Sequence, residues 1–228
     1  MTTRPVWRYE RRMTDKERDV FSRLERTGVA AVLIIEKVEH AVPVAEALLA
    51  GGVDAMELTL RTPAALGALR EIRAKVPQML AGIGTILTPD QVKQVVDEGG
   101  SFGVAPGMNP RVVEAAIAAG LPFAPGICTP SDIERALEYD RKLLKFFPAE
   151  LSGGLKYLEA IAAPYQHLGI KYMPLGGING ANFINWFACK HVGCIGGSWL
   201  APKELLATGD WKGITALAQR VVELRGVR

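Results

Sequence analysis

"ALLAGGVDAMELTLR", residues 47–61, decides the fold. An Ala/Leu run of helical character meets a glycine pair, and a short strand-like run follows at once. Glycine after a helix adopts the left-handed conformation that ends it. In the strand that follows, Met56, Leu58 and Leu60 share one parity while Glu57, Thr59 and Arg61 share the other. The same punctuation recurs in "VVDEGGSFGVAPG" (95–107) and "AAIAAGLPFAPG" (115–126). Strands are predicted at about 29–35, 53–60, 79–84, 101–105, 121–125, 142–147, 170–175 and 192–197, with helices between them. Eight such units over roughly 200 residues predict a single-domain α/β fold, a parallel (β/α)8 TIM barrel. A doubly wound open sheet is the alternative, but its first turn normally carries a glycine fingerprint, and "IIEKVEHA" (34–41) has none.

In a barrel with no edge strand, the apolar set must face the outer helices. Glu57, Thr59 and Arg61 then point inward, near the C-terminal end of a strand, where active sites of this fold are built. An ordinary edge strand, polar on one side, is the plain alternative.

Of the 228 residues, 49% are hydrophobic and 22% charged, enough for a sizeable core. No apolar run reaches the roughly 18 to 20 residues of a membrane span, and "MTTRPVWRYERR" lacks a secretory apolar region, so a cytoplasmic protein with no membrane partner is expected. Cys128, Cys189 and Cys194 make no CxxC pair, and His40, His167 and His191 are scattered, which suggests neither a disulfide framework nor a metal site. The net charge of +3 resides in residues 1–26, which hold eight Lys/Arg and five Asp/Glu; the remainder carries 19 of each sign. A neutral body argues against a nucleic-acid partner. Residues 1–12 read as a tail and 13–27 as a helix laid across the end of the barrel, which takes up 28–228. Thr14 to Glu17 forms a capping box, and Val20, Phe21 and Leu24 follow at helical spacing.

"KLLKFFPAEL" (142–151) looks like a buried strand, yet Lys145 sits within it among Leu143, Leu144, Phe146 and Phe147. A lysine stem lying along apolar surface with its head in water is the ordinary reading. Inside a barrel water enters only through the mouth, and an ammonium held among apolar groups loses its proton more readily. The neutral amine attacks a ketone to form an imine, an electron sink for breaking a neighbouring carbon–carbon bond. Glu57, facing the same space, would move the protons. Lys142 has the opposite parity, at the strand's entrance, and reads as a solvated lysine.

Two glycine pairs come late, "PLGGING" (174–180) and "CIGGSWL" (194–200), after the seventh strand and the eighth. Phosphate-binding barrels use these two loops, where backbone N–H groups meet the anion. Each pair alone also serves as a turn. Ser198 adds a hydroxyl donor.

The segments "EHAVPVAEALLAGGVDAMELTLRT", "GIGTIL", "APGMNP", "PGICTPSD", "KFFPAE" and "GGSWL", in this order, resemble the bacterial 2-keto-3-deoxy-6-phosphogluconate / 4-hydroxy-2-oxoglutarate aldolases over about residues 27–225. The resemblance implies a trimeric, metal-free class I aldolase with no cofactor. Its reaction splits the phosphorylated keto-deoxy acid into pyruvate and glyceraldehyde 3-phosphate, a step of the Entner–Doudoroff pathway. On matching positions, Lys145 is the Schiff-base lysine and Glu57 the general acid/base. Arg61, Thr85 and Pro106 hold the pyruvate end, Phe147 walls the site, and Gly176, Gly177 and Ser198 bind phosphate. Ala31, Ala105 and Cys128 depart from the family pattern in positions around the site; Cys128 reads as a small packing residue rather than a reactive thiol. The galactonate form of the substrate, or a phosphate-binding epimerase or synthase without an imine, remains the alternative.

Overall fold

The computed structural model describes residues 13–226; the predicted tail, 1–12, lies outside the described residues. The chain opens with α1 (Asp15–Thr27) and then alternates strand and helix. In order these are β1 (Val29–Leu33), α2 (Ala41–Ala50), β2 (Ala55–Thr59), α3 (Ala65–Lys75), β3 (Leu80–Gly84), α4 (Pro89–Asp97) and β4 (Gly103–Val104). They continue with α5 (Pro110–Ala118), β5 (Phe123–Ala124), β6 (Gly126–Ile127), α6 (Pro130–Leu137), β7 (Leu143–Phe146), α7 (Gly154–Ala162) and β8 (Lys171–Pro174). The last elements are α8 (Phe183–Ala188), β9 (Ile195–Gly197), α9 (Lys203–Thr208) and α10 (Trp211–Arg225).

Among the described residues all strand pairs are parallel, in one ladder ordered β5-β4-β3-β2-β1-β9 and a second ordered β6-β7-β8. The strand predicted over 121–125 is therefore only β5, and a separate short strand, β6, follows it in the other ladder. Pro125 is the reason. It has no N–H to donate to a ladder, so the chain leaves β4 there, and the Pro125 carbonyl instead accepts from the Lys145 N–H (2.9 Å). At the other seam Tyr172 bridges Val192 in parallel, its N–H donating to the His191 carbonyl (2.8 Å) and its carbonyl accepting from the Gly193 N–H (2.9 Å). The result is a curled sheet of parallel strands with helices on its outside.

Parity sorts the core into two layers. Met56, Leu58, Leu144 and Phe146 belong to the large cluster that includes Leu48, Leu69 and Ile72 of the helices. Ala30, Ala55, Leu80, Leu143 and Met173 belong to a second, inner cluster, together with Val20, Phe21 and Leu24 of α1. Ala55, Leu80 and Leu143 each begin their strand, so the apolar stripe of α1 packs over the N-terminal end of the inner face. The helix begins at Asp15, two residues inside the predicted 13–27, behind a capping box at Thr14. The Thr14 side chain accepts from the Glu17 N–H, and the Glu17 carboxylate accepts from the Thr14 N–H. Glu17 also pairs with Arg141, both side chains buried. With that end covered, the C-terminal ends of the strands are left to form a site.

Candidate active site

A cavity of about 260 Å³ opens at those C-terminal ends. The structure brings all nine residues predicted from sequence to its wall: Glu57 and Arg61 from β2 and its end, Thr85 after β3, Pro106 after β4, Lys145 and Phe147 from β7 and its end, Gly176 and Gly177 after β8, and Ser198 after β9. Thr59, Val32, Ile34, Leu175, Ile178 and Gly196 complete the lining.

At its centre Lys145 Nζ lies 3.0 Å from Glu57 Oε1, the lysine side chain 6% exposed and the glutamate 0%. The lysine is thus not an unpaired charge among apolar groups. Leu144 and Phe146 face the outer layer, and the inward group beside Nζ is a carboxylate contributed from 88 residues earlier. A buried ion pair of this kind exists only when both partners share good geometry. The Phe147 ring stands 5.7 Å from Nζ, within cation–π range.

Glu57 sits where it does because residue 84 is glycine. A Cβ at Gly84 would lie 1.7 Å from Glu57 Oε1 and 2.5 Å from its Cδ. Among the described residues Glu57 Oε2 and Thr59 Oγ1 are buried without a hydrogen-bond partner. Buried polar atoms are normally paired, so two orphaned oxygens in one cavity mark where a ligand or water is received. Arg61 makes no ion pair among the described residues, which leaves its planar fork free for a carboxylate. Thr85 adopts φ 64°, a left-handed conformation that costs a β-branched residue energy and is met mostly where function demands it.

The glycine pair after β8 has φ 98° at Gly176 and 83° at Gly177. Their N–H groups and that of Ile178 donate to no acceptor among the described residues. Successive free N–H groups on such a turn form an anion-binding concavity. Ser198 Oγ is likewise without a hydrogen bond there. Parity and loop position had pointed to these residues. Sequence reasoning gave no role to Thr59, which lines the cavity, or to Glu150, Asn182 and Trp186, whose side chains hydrogen-bond behind the glycine loop.

Ala31 and Ala105, the departures from the family pattern, both face the outer core and do not line the cavity. Cys128 is half-buried, and its Sγ donates to Ser152 Oγ at 3.1 Å. Burial pushes the Cys194 thiol up, well beyond the ordinary range. Lys142 is not simply solvated. Its ammonium pairs with Asp140 at 3.4 Å and its side chain is 30% exposed, because the tight turn before β7 folds the aspartate back onto it. Among the described residues no group of three or more His, Cys, Asp or Glu is placed to hold a metal ion, and no helix is long and apolar enough to cross a membrane.

Fold and site together define an α/β protein whose cavity, at the C-terminal ends of parallel strands, brings a lysine amine and a carboxylate into contact. The chain belongs to the KDPG and KHG aldolase family, whose model matches residues 20–217. It is 45% identical over 195 residues, 86% of this chain and 91% of the relative, to a KHG/KDPG aldolase of Escherichia coli (strain K12). Among solved structures it resembles the KDPG aldolase of Legionella pneumophila, with pyruvate captured at low pH as a covalent carbinolamine intermediate (TM-score 0.85, 36% identity, 91% of this chain and 98% of that one). It also resembles the 2-keto-3-deoxy-6-phosphogluconate aldolase of Zymomonas mobilis ZM4 with 3-phosphoglycerate (TM-score 0.82, 36% identity, 92% and 95%).

Proposed function

We propose that this chain is a class I aldolase that cleaves 2-keto-3-deoxy-6-phosphogluconate to pyruvate and glyceraldehyde 3-phosphate, with Lys145 as the imine-forming residue. The observation that carries this reading is the buried contact of Lys145 Nζ with Glu57 Oε1 at 3.0 Å in a cavity that also holds a free arginine and a free-N–H glycine loop. A proton passed from Nζ to Oε1 leaves a neutral amine, which attacks the C2 ketone of the substrate. Glu57 returns the proton to the carbinolamine oxygen, and water leaves to give the protonated imine. Glu57, again a carboxylate, takes the proton of the C4 hydroxyl. The C3–C4 bond then breaks, its electron pair flows into the iminium, and the aldehyde departs. Protonation of the enamine at C3 and addition of water release pyruvate and regenerate the amine.

Arg61 accepts the substrate carboxylate on its fork, with Thr85 and Pro106 beside it and Phe147 as a wall. The phosphate rests on the N–H groups of the Gly176–Gly177 loop and on Ser198. Cleavage of 4-hydroxy-2-oxoglutarate to pyruvate and glyoxylate is a second activity of the same site, since it needs the pyruvate end alone. The hydrogen bonds at both seams of the curled sheet support a single (β/α)8 barrel, with the helix Asp15–Thr27 at its N-terminal end. Assembly as a homotrimer and action in the cytoplasm rest on the family, and analytical ultracentrifugation tests the former.

The decisive experiment is reduction with borohydride in the presence of pyruvate. A stable mass increment on Lys145 is expected, and an unmodified protein refutes the imine mechanism. Comparing kcat/KM for the gluconate acid, the galactonate acid and 4-hydroxy-2-oxoglutarate ranks the substrates.

A further inference from the structure

We infer that Glu150 is a positioning residue for the phosphate loop, acting through Asn182 on the Gly177 carbonyl; this rests on the phosphate reading above. Glu150 does not line the cavity. Its backbone N–H donates to the Gly176 carbonyl (3.0 Å), and that of Ala149 to the Leu175 carbonyl (2.7 Å), which zips the loop after β7 to the loop after β8. Its carboxylate Oε1 accepts from Trp186 Nε1 (2.8 Å) and from Asn182 Nδ2 (3.1 Å). The same Asn182 amide donates to the Gly177 carbonyl (3.2 Å), joined there by Asn179 Nδ2 (3.3 Å). Trp186 is 1% exposed, so the anchor at the far end of this chain of contacts is fixed by the core.

Peptide geometry links the network to the ligand. In a trans peptide the N–H points opposite to the carbonyl. Holding the Gly177 carbonyl on the two asparagines therefore turns the Ile178 N–H the other way, and Ile178 lines the cavity. Gly177 has no room to drift back, because a Cβ there would meet Glu150 Cβ at 2.6 Å. An ionised carboxylate beside an anion site would repel the ligand if it faced it. Spending both donors on one oxygen of Glu150 keeps that charge behind the loop, where it orients donors and touches no substrate.

The test uses the full chain and two substrates, 2-keto-3-deoxy-6-phosphogluconate and 4-hydroxy-2-oxoglutarate, which differ in carrying a phosphate. In Glu150→Ala the ratio of kcat/KM for the first over the second falls about tenfold, the loss coming through KM, as befits a displaced hydrogen-bond donor. Glu150→Gln keeps an acceptor for Trp186 and Asn182 and holds the ratio within about twofold of the parent chain. Asn182→Ala cuts the same link from the other side and carries the same expectation as Glu150→Ala, so misfolding of one variant leaves the test decidable. If the parent chain prefers the phosphorylated substrate and neither alanine variant changes that preference, the positioning role is overturned while the phosphate loop stands. If the parent chain shows no preference, the phosphate reading falls and the inference with it.

Discussion

Gly84→Ala tests whether the site works through the placement of Glu57. Glycine 84 has no left-handed φ, so alanine suits its backbone, and what the new methyl meets is the carboxylate. Its Cβ would stand 1.7 Å from Oε1, 2.5 Å from Cδ and 2.9 Å from Cγ of Glu57, where ordinary contact begins at 3.4 Å. The carboxylate must retreat by about 1.7 Å, the gap between overlap and van der Waals contact. That is more than half the 3.0 Å that now separates it from Lys145 Nζ, so the hydrogen bond is lost. A misplacement of about 1 Å in a reacting group costs on the order of 100-fold in rate, or about 2.7 kcal/mol of barrier. The assay is pyruvate release coupled to lactate dehydrogenase, with circular dichroism to establish that the variant is folded. A kcat fall of about 100-fold is expected. A second arm uses the Glu57→Gln background, where Gly84→Ala adds less than about threefold because the group it displaces has already lost its function. A folded Gly84→Ala protein within threefold of the parent refutes the reasoning. So does a full additional loss on top of Glu57→Gln.

Three further outcomes follow from other parts of the molecule. Gly177→Ala places a side chain at φ 83° and 2.6 Å from Glu150 Cβ, so kcat/KM for the phosphorylated substrate falls by about tenfold more than that for 4-hydroxy-2-oxoglutarate; equal losses contradict the loop assignment. Glu17→Ala removes the capping partner and strands the buried Arg141 guanidinium, lowering stability in urea titration by about 3 to 5 kcal/mol, and a loss under about 1 kcal/mol counts against the packing role of α1. Burial pushes the Tyr172 phenol from 10.0 up to about 12, so the unfolded chain ionises first and this residue's share of stability declines as pH rises from 10 towards 12. Tyr172→Phe removes that decline, and near neutral pH its Tm is equal or higher because the buried hydroxyl has no partner among the described residues; a lower Tm at neutral pH would point to an interaction the phenol makes.

Much of the site was legible because a strand has a period of two. In "MELTLR" the alternation alone separates Met56 and Leu58, which pack on the helices, from Glu57, Thr59 and Arg61, which reach the cavity. The glycine pairs were legible by position, since left-handed φ values at Gly176 and Gly177 are open to glycine and strained for other residues. The break at Pro125 was harder. Its proline stands in the sequence, but whether the chain ends a strand there or changes neighbours depends on which carbonyl and which N–H lie alongside. Lys142, read as solvated, keeps 30% of its side chain exposed, and its contact with Asp140 comes from the turn that precedes β7.

By itself, then, the sequence determined the alternation of helix and strand and the inward set on the strands, since these follow from local periodicity and from the conformations open to glycine and proline. The tertiary structure alone decided what each inward group meets. Lys145 finds a carboxylate 88 residues away at 3.0 Å, Glu57 fits because Gly84 lacks a side chain, and the loop after β8 is held by Glu150 and Trp186 from other elements. Such contacts depend on the curvature that closes distances between strands, and no local pattern encodes a distance between segments so far apart in the chain.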